Sequence, residues 1–188
     1  HLLQETCLQL TQGQYLDISF ESRKTLTLDS YWSMIGGKTA ALIACAAALG
    51  ALVSGANENI VIAYKNFGYN LGLAFQVQDD ILGIWGDEAL TGKSNESDLI
   101  TKKKTLPILY ALEHDKTFAQ MWLAEHIQDH ELPKIIHSLE ICGARSFAEE
   151  TANKLTQVTL QSLPRTISPN PAVDALVELS NRLLNRVA

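Results

Sequence analysis

Residues 74–93 read AFQVQDDILGIWGDEALTGK and place an adjacent aspartate pair, Asp79 and Asp80, on what is otherwise the apolar face of a helix. Unpaired carboxylates are costly to bury, so a partner of some kind is expected. Asp87 follows Asp80 by about 700° of helical rotation, and Gln76 lies one turn before Asp80. A helix face that carries Gln76, Asp80 and Asp87 predicts a polar cavity rather than a packing surface.

Oxygen ligands and lysines accompany this face. Adjacent carboxylates without histidine or cysteine nearby suit Mg²⁺, which keeps waters and takes one or two carboxylates plus phosphate oxygens. Lys38 follows Gly-Gly, Lys93 follows Thr-Gly, and residues 102–104 are three lysines that follow Asp98. Glycine lets the backbone approach an anion closely, and lysine supplies the positive charge. Together these features predict a magnesium-diphosphate site, although each alone also fits a solvated charged surface.

Composition limits the class of protein. The chain has 188 residues, 46% of them apolar and 19% charged, which suits one domain over residues 1–188. A net charge of −6 argues against nucleic acid as a partner. Cys7, Cys45 and Cys142 are widely spaced and odd in number, so we expect free thiols in a reducing, cytoplasmic compartment.

Helix signals dominate the chain, and no run alternates strictly enough for a strand. We expect the first helix to end at Gly13, a later one to be capped by Asp29 or Ser30, and another by Asn57 or Asn59. Residues 86–104 are predicted to form a functional loop. An all-α fold follows, with helices near residues 1–12, 28–34, 38–54, 57–85, 107–111, 116–128, 132–141, 144–162 and 172–186.

One segment raises the question of a membrane. Residues 40–53 read AALIACAAALGALV, an uninterrupted run of small and apolar residues. The run is shorter than the roughly 20 residues that a spanning helix needs, and Lys38 precedes it. We therefore expect a buried bundle helix and no transmembrane segment.

Five motifs in order resemble one known family. They are GQYLD, GGKTAALIACAAALGA, AFQVQDD, GDEALTGK, and an SD pair followed by KKTLP, and they run from Gly13 to about Leu112. This order closely resembles the trans-prenyl diphosphate synthases, the polyprenyl synthetase family. The resemblance implies an isoprenoid-synthase-type helical bundle, of which this chain carries the C-terminal part without the first helices.

The resemblance also implies roles for individual residues. Asp79, Asp80 and Asp98 match aspartates that hold magnesium on an allylic diphosphate. Lysines matching Lys38, Lys93 and Lys103 bind that diphosphate. The remaining matches are Thr39 and Gln76, which would face the allylic carbon and favour its positive charge, and Gln14 and Asp17, which would line the cavity.

The implied reaction is a prenyl transfer. Magnesium and lysines stabilise the departing diphosphate, and the double bond of isopentenyl diphosphate attacks the allylic cation to give a short- to medium-chain polyprenyl diphosphate. Two other functions stay open at this point. One is a class I terpene cyclase of the same fold, and the other is a non-catalytic helical subunit or fragment.

Two departures from the family pattern affect these expectations. The second aspartate motif reads DDILG, so Gly83 stands where the last carboxylate is usual, unless Asp98 or Asp87 compensates. The family's first DDxxD motif lies upstream of GQxxD, and only a dozen residues precede Gly13 here. We therefore expect residues 1–188 to form a homodimer or to associate with a missing N-terminal half, and to be inactive alone.

Overall fold

The computed structural model describes residues 1–23, 25–86, 97–123, 127–163 and 170–184. Every regular element in these ranges is helical, as predicted. The α-helices are α1 (Leu2–Glu21), α2 (Leu28–Ile35), α3 (Ala41–Val53), α4 (Glu58–Trp85), α5 (Ser97–Ile100), α6 (Leu106–His114), α7 (Lys116–Trp122), α8 (Leu132–Ile141), α9 (Ala144–Ser162) and α10 (Pro171–Leu184), with a π-helical segment at Gly36–Ala40 and a 3₁₀ turn at Asp129–Glu131.

Helix α1 is longer than predicted, because Gly13 does not end it. The helix continues to Glu21, and Gly13 lies where α1 crosses the π-helical segment. A Cβ at Gly13 would come within 2.6 Å of the carbonyl carbon of Gly37, so the two backbones touch. A glycine inside a helix costs about 1 kcal/mol of helix propensity, and the close crossing explains why it is used here.

The run from α2 to α3 is helical throughout, with one irregular turn. Thr27 begins it, because its Oγ1 accepts a hydrogen bond from the Ser30 amide; the predicted caps Asp29 and Ser30 lie inside the helix. The expected loosening at Gly36-Gly37 takes the form of the π-helical segment Gly36–Ala40. Such segments often occur at functional sites because they re-aim the side chains they carry.

By length and composition the combined helix Leu28–Val53 could cross a membrane, and 44% of its most apolar window is buried inside the molecule. On α3 the buried positions are alanines and one cysteine, Cys45. Two glycines of α4 pack there: a Cβ at Gly72 would lie 2.5 Å from Ala40 Cα, and one at Gly68 would lie 2.6 Å from the Ile43 carbonyl oxygen. This face of α3 is therefore packed against α4, as expected for a helix buried in a bundle.

Helix α4 is the centre of the fold. It begins at an Asn57 cap, whose side chain accepts from the Ile60 amide at 3.1 Å, and it ends at Trp85, both as predicted. All three groups of buried apolar side chains include residues of α4. The carboxyl-terminal end of α4, which carries Asp79 and Asp80, is therefore held by packing on several sides.

The remaining helices follow the prediction with changes at their ends. Pro107 occupies the first turn of α6, α8 and α9 span the predicted ranges, and α7 ends at Trp122, six residues early. Of the predicted loop 86–104, residues 87–96 lie outside the described ranges, and Ser97–Ile100 forms the short helix α5. The last helix begins one residue early, at Pro171, and is described to Leu184.

Candidate active site

A cavity of about 420 Å³ opens between α1, α2, α4 and the connection that precedes α6. Its walls combine apolar side chains, such as Phe20 and Met34, with carboxylates and four lysines. The lining residues are Asp17, Phe20, Glu21, Tyr31, Met34, Lys38, Gln76, Asp80, Thr101, Lys102, Lys103, Lys104 and Thr105.

Asp80 is the most deeply buried charged group of this cavity, with a relative exposure of 1%. Its Oδ2 accepts from the Tyr31 hydroxyl at 2.7 Å and from the Leu106 amide at 3.0 Å, and its Oδ1 accepts from Gln76 Nε2 at 3.1 Å. Burial raises the pKa of the Asp80 carboxyl from 3.8 to about 6, although Lys103 and these hydrogen bonds act in the opposite direction. Protein donors thus offset part of the cost of burying the carboxylate, and burial remains the larger effect.

Lys103 connects two of the predicted metal ligands. Its Nζ lies 3.5 Å from Asp98 Oδ2 and 3.9 Å from Asp80 Oδ1. Burial lowers the pKa of Lys103, but Asp80, Asp98 and Asp79 raise it more, so the pKa stands above its ordinary value. Lys103 is therefore protonated at neutral pH and held among three carboxylates.

Asp98 occupies the space that Gly83 leaves open. A Cβ at Gly83 would come within 2.8 Å of Asp98 Cγ, so no other side chain fits there without displacing Asp98. The carboxylate missing from DDILG is thus replaced in space by one from α5. Asp98 therefore lies where it could compensate the missing carboxylate, and its role as a metal ligand stays a prediction; Asp87 lies outside the described residues.

The π-helical segment and α1 supply the opposite wall. Lys38 Nζ forms an ion pair with Asp17, and both side chains line the cavity. Thr39 Oγ1 donates to Gln76 Oε1 at 2.9 Å, which joins these two predicted residues. Gln14, in contrast, is exposed on α1 and is not among the residues that line the cavity, so its predicted place there is not observed.

Three consecutive lysines reach three different elements, which the sequence does not reveal. Lys104 Nζ donates to the carbonyl oxygens of Phe20 at 2.8 Å and Glu21 at 3.2 Å, at the end of α1. Lys102 Nζ donates to the carbonyl oxygen of Trp122 at 3.1 Å, at the end of α7. Carbonyls at a helix end lack intrahelical partners and attract cations. Lys102 and Lys104 therefore fix the segment that carries Lys103.

The donor set suits magnesium bound together with a ligand. Within the described ranges, no three histidine, cysteine, aspartate or glutamate side chains are arranged to hold a metal ion by themselves. Mg²⁺ commonly uses one or two carboxylates and completes its shell with waters and phosphate oxygens. Asp79 and Asp98 are partly exposed and chemically suitable, whereas the oxygens of Asp80 already accept from protein donors. Lys93 lies outside the described residues.

Comparison with known proteins identifies the family. A family model described as polyprenyl synthetase matches residues 1–139. The chain belongs to the polyprenyl synthetase family. This membership confirms the resemblance drawn from the five motifs, and it agrees with the all-helical fold.

Relatives of this polyprenyl synthetase chain include geranylgeranyl diphosphate synthase of Mycobacterium tuberculosis. The two are 37% identical over an alignment 183 residues long, which covers 94% of this chain and 52% of the relative. The structure of geranylgeranyl pyrophosphate synthetase from Pyrococcus horikoshii matches with a TM-score of 0.91 and 30% identity, covering 99% of this chain and 57% of that one. The chain spans about half the length of the curated relatives it matches.

A second solved structure carries ligands. Geranylgeranyl pyrophosphate synthase from Corynebacterium glutamicum, solved in complex with isoprenyl diphosphate and magnesium, matches with a TM-score of 0.89 and 27% identity. The match covers 99% of this chain and 54% of that one. A solved relative with the same fold therefore holds the two ligands that the motifs predict.

Proposed function

We propose that this polyprenyl synthetase chain forms the allylic-diphosphate half of a prenyltransferase active site. The reaction would join isopentenyl diphosphate to an allylic prenyl diphosphate and give a short- to medium-chain polyprenyl diphosphate. The observation that carries the proposal is the shared cavity, whose lining brings Lys38 and Lys103 together with Asp80 of the aspartate pair. The named synthases among the relatives support the same reaction class.

The diphosphate would be bound by charge. Lys38 and Lys103 lie at two walls of the cavity, each already paired with an aspartate. Such pairing holds the lysine side chains in place before the ligand arrives, which lowers the entropy cost of binding. Lys93, by its position in the family pattern, would add a third cation.

Magnesium would be held by Asp79 and Asp98 together with oxygens of the diphosphate. When bound, the metal would neutralise the negative charge that develops on the departing diphosphate. The place of Asp98 against Gly83 supports this pairing, because it brings a carboxylate to the same end of α4 as Asp79. The predicted role of Asp80 as a third ligand competes with its hydrogen bonds to Tyr31, Gln76 and the Leu106 amide.

The chain's own polar groups would face the developing cation. Thr39 and Gln76 present oxygen atoms at the π-helical segment and α4, and these oxygens favour positive charge nearby. Phe20 and Met34 contribute apolar surface to the cavity. Apolar walls exclude water, which would otherwise capture an allylic cation and end the reaction early.

The other two candidate functions lead to different outcomes. A terpene cyclase of this fold would release hydrocarbons; Lys38, Lys93 and Lys103, which match the family's lysines in the sequence pattern, favour the synthase. A non-catalytic helical subunit or fragment would bind a partner chain and form no product, and the same lysines argue against it. We further propose a cytoplasmic location and association as a homodimer or with an N-terminal half.

Product analysis tests the proposal. The chain, assembled with the N-terminal half proposed above, would be incubated with magnesium, labelled isopentenyl diphosphate and an allylic diphosphate, and the labelled products would be separated. We expect longer prenyl diphosphates, strongly reduced by Lys38→Ala and unchanged by Lys65→Ala, which alters an exposed lysine at the other end of α4. Hydrocarbon products would favour the cyclase, and the absence of any product would favour the non-catalytic subunit.

A further inference from the structure

Four side chains from three helical elements form one continuous chain of hydrogen bonds. The Tyr31 hydroxyl donates to Asp80 Oδ2 at 2.7 Å, and Gln76 Nε2 donates to Asp80 Oδ1 at 3.1 Å. Thr39 Oγ1 then donates to Gln76 Oε1 at 2.9 Å. The chain runs from the buried core beneath α2 to the π-helical segment beside Lys38.

The direction of every hydrogen bond in this chain is set by Asp80. An ionised carboxylate only accepts, so the amide nitrogen of Gln76 must face it, and the amide oxygen must face Thr39. A carbonyl oxygen also only accepts, so the Thr39 hydroxyl must donate its proton to Gln76. The lone pairs of Thr39 Oγ1 are thereby turned away from Gln76. Reversing any one bond would leave two acceptors facing each other.

Asp80 is itself held in place by Tyr31 and by the first amide of α6. Tyr31 is 1% exposed and packs among the apolar side chains that include Val77 and Ile81. Its ring also meets Trp32 edge-on, with the centroids 5.2 Å apart. The Tyr31 hydroxyl therefore has one fixed position. Among the described residues it is the side chain that donates to Asp80 Oδ2, and replacing tyrosine by phenylalanine removes this donor alone.

We propose that Tyr31 is a positioning residue that acts through Asp80 to orient the oxygens of Gln76 and Thr39. The inference rests on the proposed function, in which those two oxygens face the allylic carbon as positive charge develops. Asp80 then serves this orientation rather than metal binding. Tyr31 touches none of the reacting atoms in this account, and no sequence motif singled it out.

Kinetics of the chain assembled with the N-terminal half proposed above gives the first test. Tyr31→Phe keeps the ring and removes the hydroxyl, and we expect kcat to fall 10- to 100-fold, because misdirected dipoles stabilise the transition state less well. The KM for the allylic diphosphate should change less than threefold, because Lys38 and Lys103 are untouched. Tyr64→Phe is the matched control, since Tyr64 lies about 24 Å along α4 from Asp80. A Tyr31→Phe enzyme with wild-type kcat would overturn the proposal.

Spectroscopy separates positioning from a merely structural role and needs no turnover. In glutamine-labelled protein, the side-chain amide signal of Gln76, assigned with Gln76→Glu, reports its bond to Asp80. We expect this signal to shift in Tyr31→Phe and in Asp80→Asn, and to stay unchanged in Tyr64→Phe. An unshifted Gln76 signal in a folded Tyr31→Phe protein would refute the inference. If the Gln76 signal shifts but the assembled protein has no prenyltransferase activity, the hydrogen-bond chain from Tyr31 to Gln76 is upheld and only the proposed function is refuted.

Discussion

Asp79 and Asp80 are neighbours in the chain, but the fold gives them different surroundings. Asp80 is buried among the Tyr31 hydroxyl, the Gln76 amide and the Leu106 amide, whereas Asp79 is partly exposed. We therefore expect the Asp79 carboxylate to serve metal binding and the Asp80 carboxylate to serve the buried hydrogen bonds. Two substitutions with opposite signatures should separate them.

We expect Asp79→Ala to lower magnesium-dependent turnover by orders of magnitude while helical content and melting temperature stay close to wild type. Asp80→Ala should instead cost about 3–5 kcal/mol of stability, because it leaves the Tyr31 hydroxyl and the Gln76 and Leu106 amides without their buried acceptor. Turnover, circular dichroism and thermal melts of both variants provide the measurement. An Asp79→Ala protein that unfolds or that keeps full activity would contradict the metal role.

The pKa of Asp80 predicts how stability changes with pH. Because burial raises this pKa from 3.8 to about 6, the folded state favours the protonated carboxyl. The contribution is fully present below pH 4 and is lost as the pH rises through 6. Denaturant titrations in the presence of a chelator should show this decline in wild type but not in Asp80→Asn. Parallel profiles for the two proteins would show that Asp80 ionises normally.

The lysine run should divide into binding and anchoring residues. Lys103→Ala should weaken binding of inorganic diphosphate at least tenfold, since a charged hydrogen bond contributes roughly 1.5–3 kcal/mol. Lys104→Ala should mainly lower the melting temperature, because it removes the donor to the carbonyls of Phe20 and Glu21. Calorimetry and thermal melts measure the two effects. Equal losses of affinity would indicate a diffuse basic patch.

At the scale of the elements, the crossing of α1 and the π-helical segment depends on backbone contact. We expect Gly13→Ala to destabilise the protein by about 1–3 kcal/mol although alanine is the better helix former, because its Cβ would strike Gly37 and Lys38. Gly50→Ala on α3 is the matched control, because a Cβ there meets no atom within 4 Å. It should be neutral or stabilising by up to about 1 kcal/mol in urea titrations. A stabilising Gly13→Ala would show that the crossing is loose.

The elements that the sequence predicted well are those with long apolar periodicity or a clear cap. Helix α4 has both, with Asn57 at its start, and its ends were correct. The first helix was cut short because Gly13 was interpreted through local propensity, whereas its reason is a contact with a segment 24 residues later. Helix propensity depends on neighbouring residues in the sequence and does not register a tertiary contact. It therefore predicts the wrong end for α1.

The sequence predicted which residues belong to the candidate site, but it did not predict which of them contact one another. The motifs placed Lys38, Gln76, Asp80 and Lys103 together, and all four line the cavity. Tyr31 was missed because it lies in an ordinary apolar helix, and its bond to Asp80 spans 49 positions. Three adjacent lysines also look alike in sequence, and only the fold assigns a different partner to each.

At the scale of the whole molecule, the described residues leave large apolar side chains exposed on α1 and α3. Leu8 and Ile18 on α1 are 60% and 58% exposed, and Leu52 on α3 is 54% exposed. Exposed patches of this kind promote association. We expect residues 1–188 alone to self-associate, to bind diphosphate weakly and not to condense substrates. Size-exclusion chromatography and an elongation assay measure this, and robust elongation by a monomer of verified mass would overturn it.

The π-helical segment makes this helix unusually intolerant of a change in length. A π turn holds one residue more than the α-helical turn it replaces. Deleting one residue within Gly36–Ala40 would therefore produce a smoother, uniformly α-helical rod by local criteria. It would also rotate α2 by about 100° relative to α3. Tyr31 would then lose its hydrogen bond to Asp80, or α3 would lose its packing against α4. The extra residue of the π-helical segment therefore sets the rotation of α2 relative to α3 at which both contacts can form.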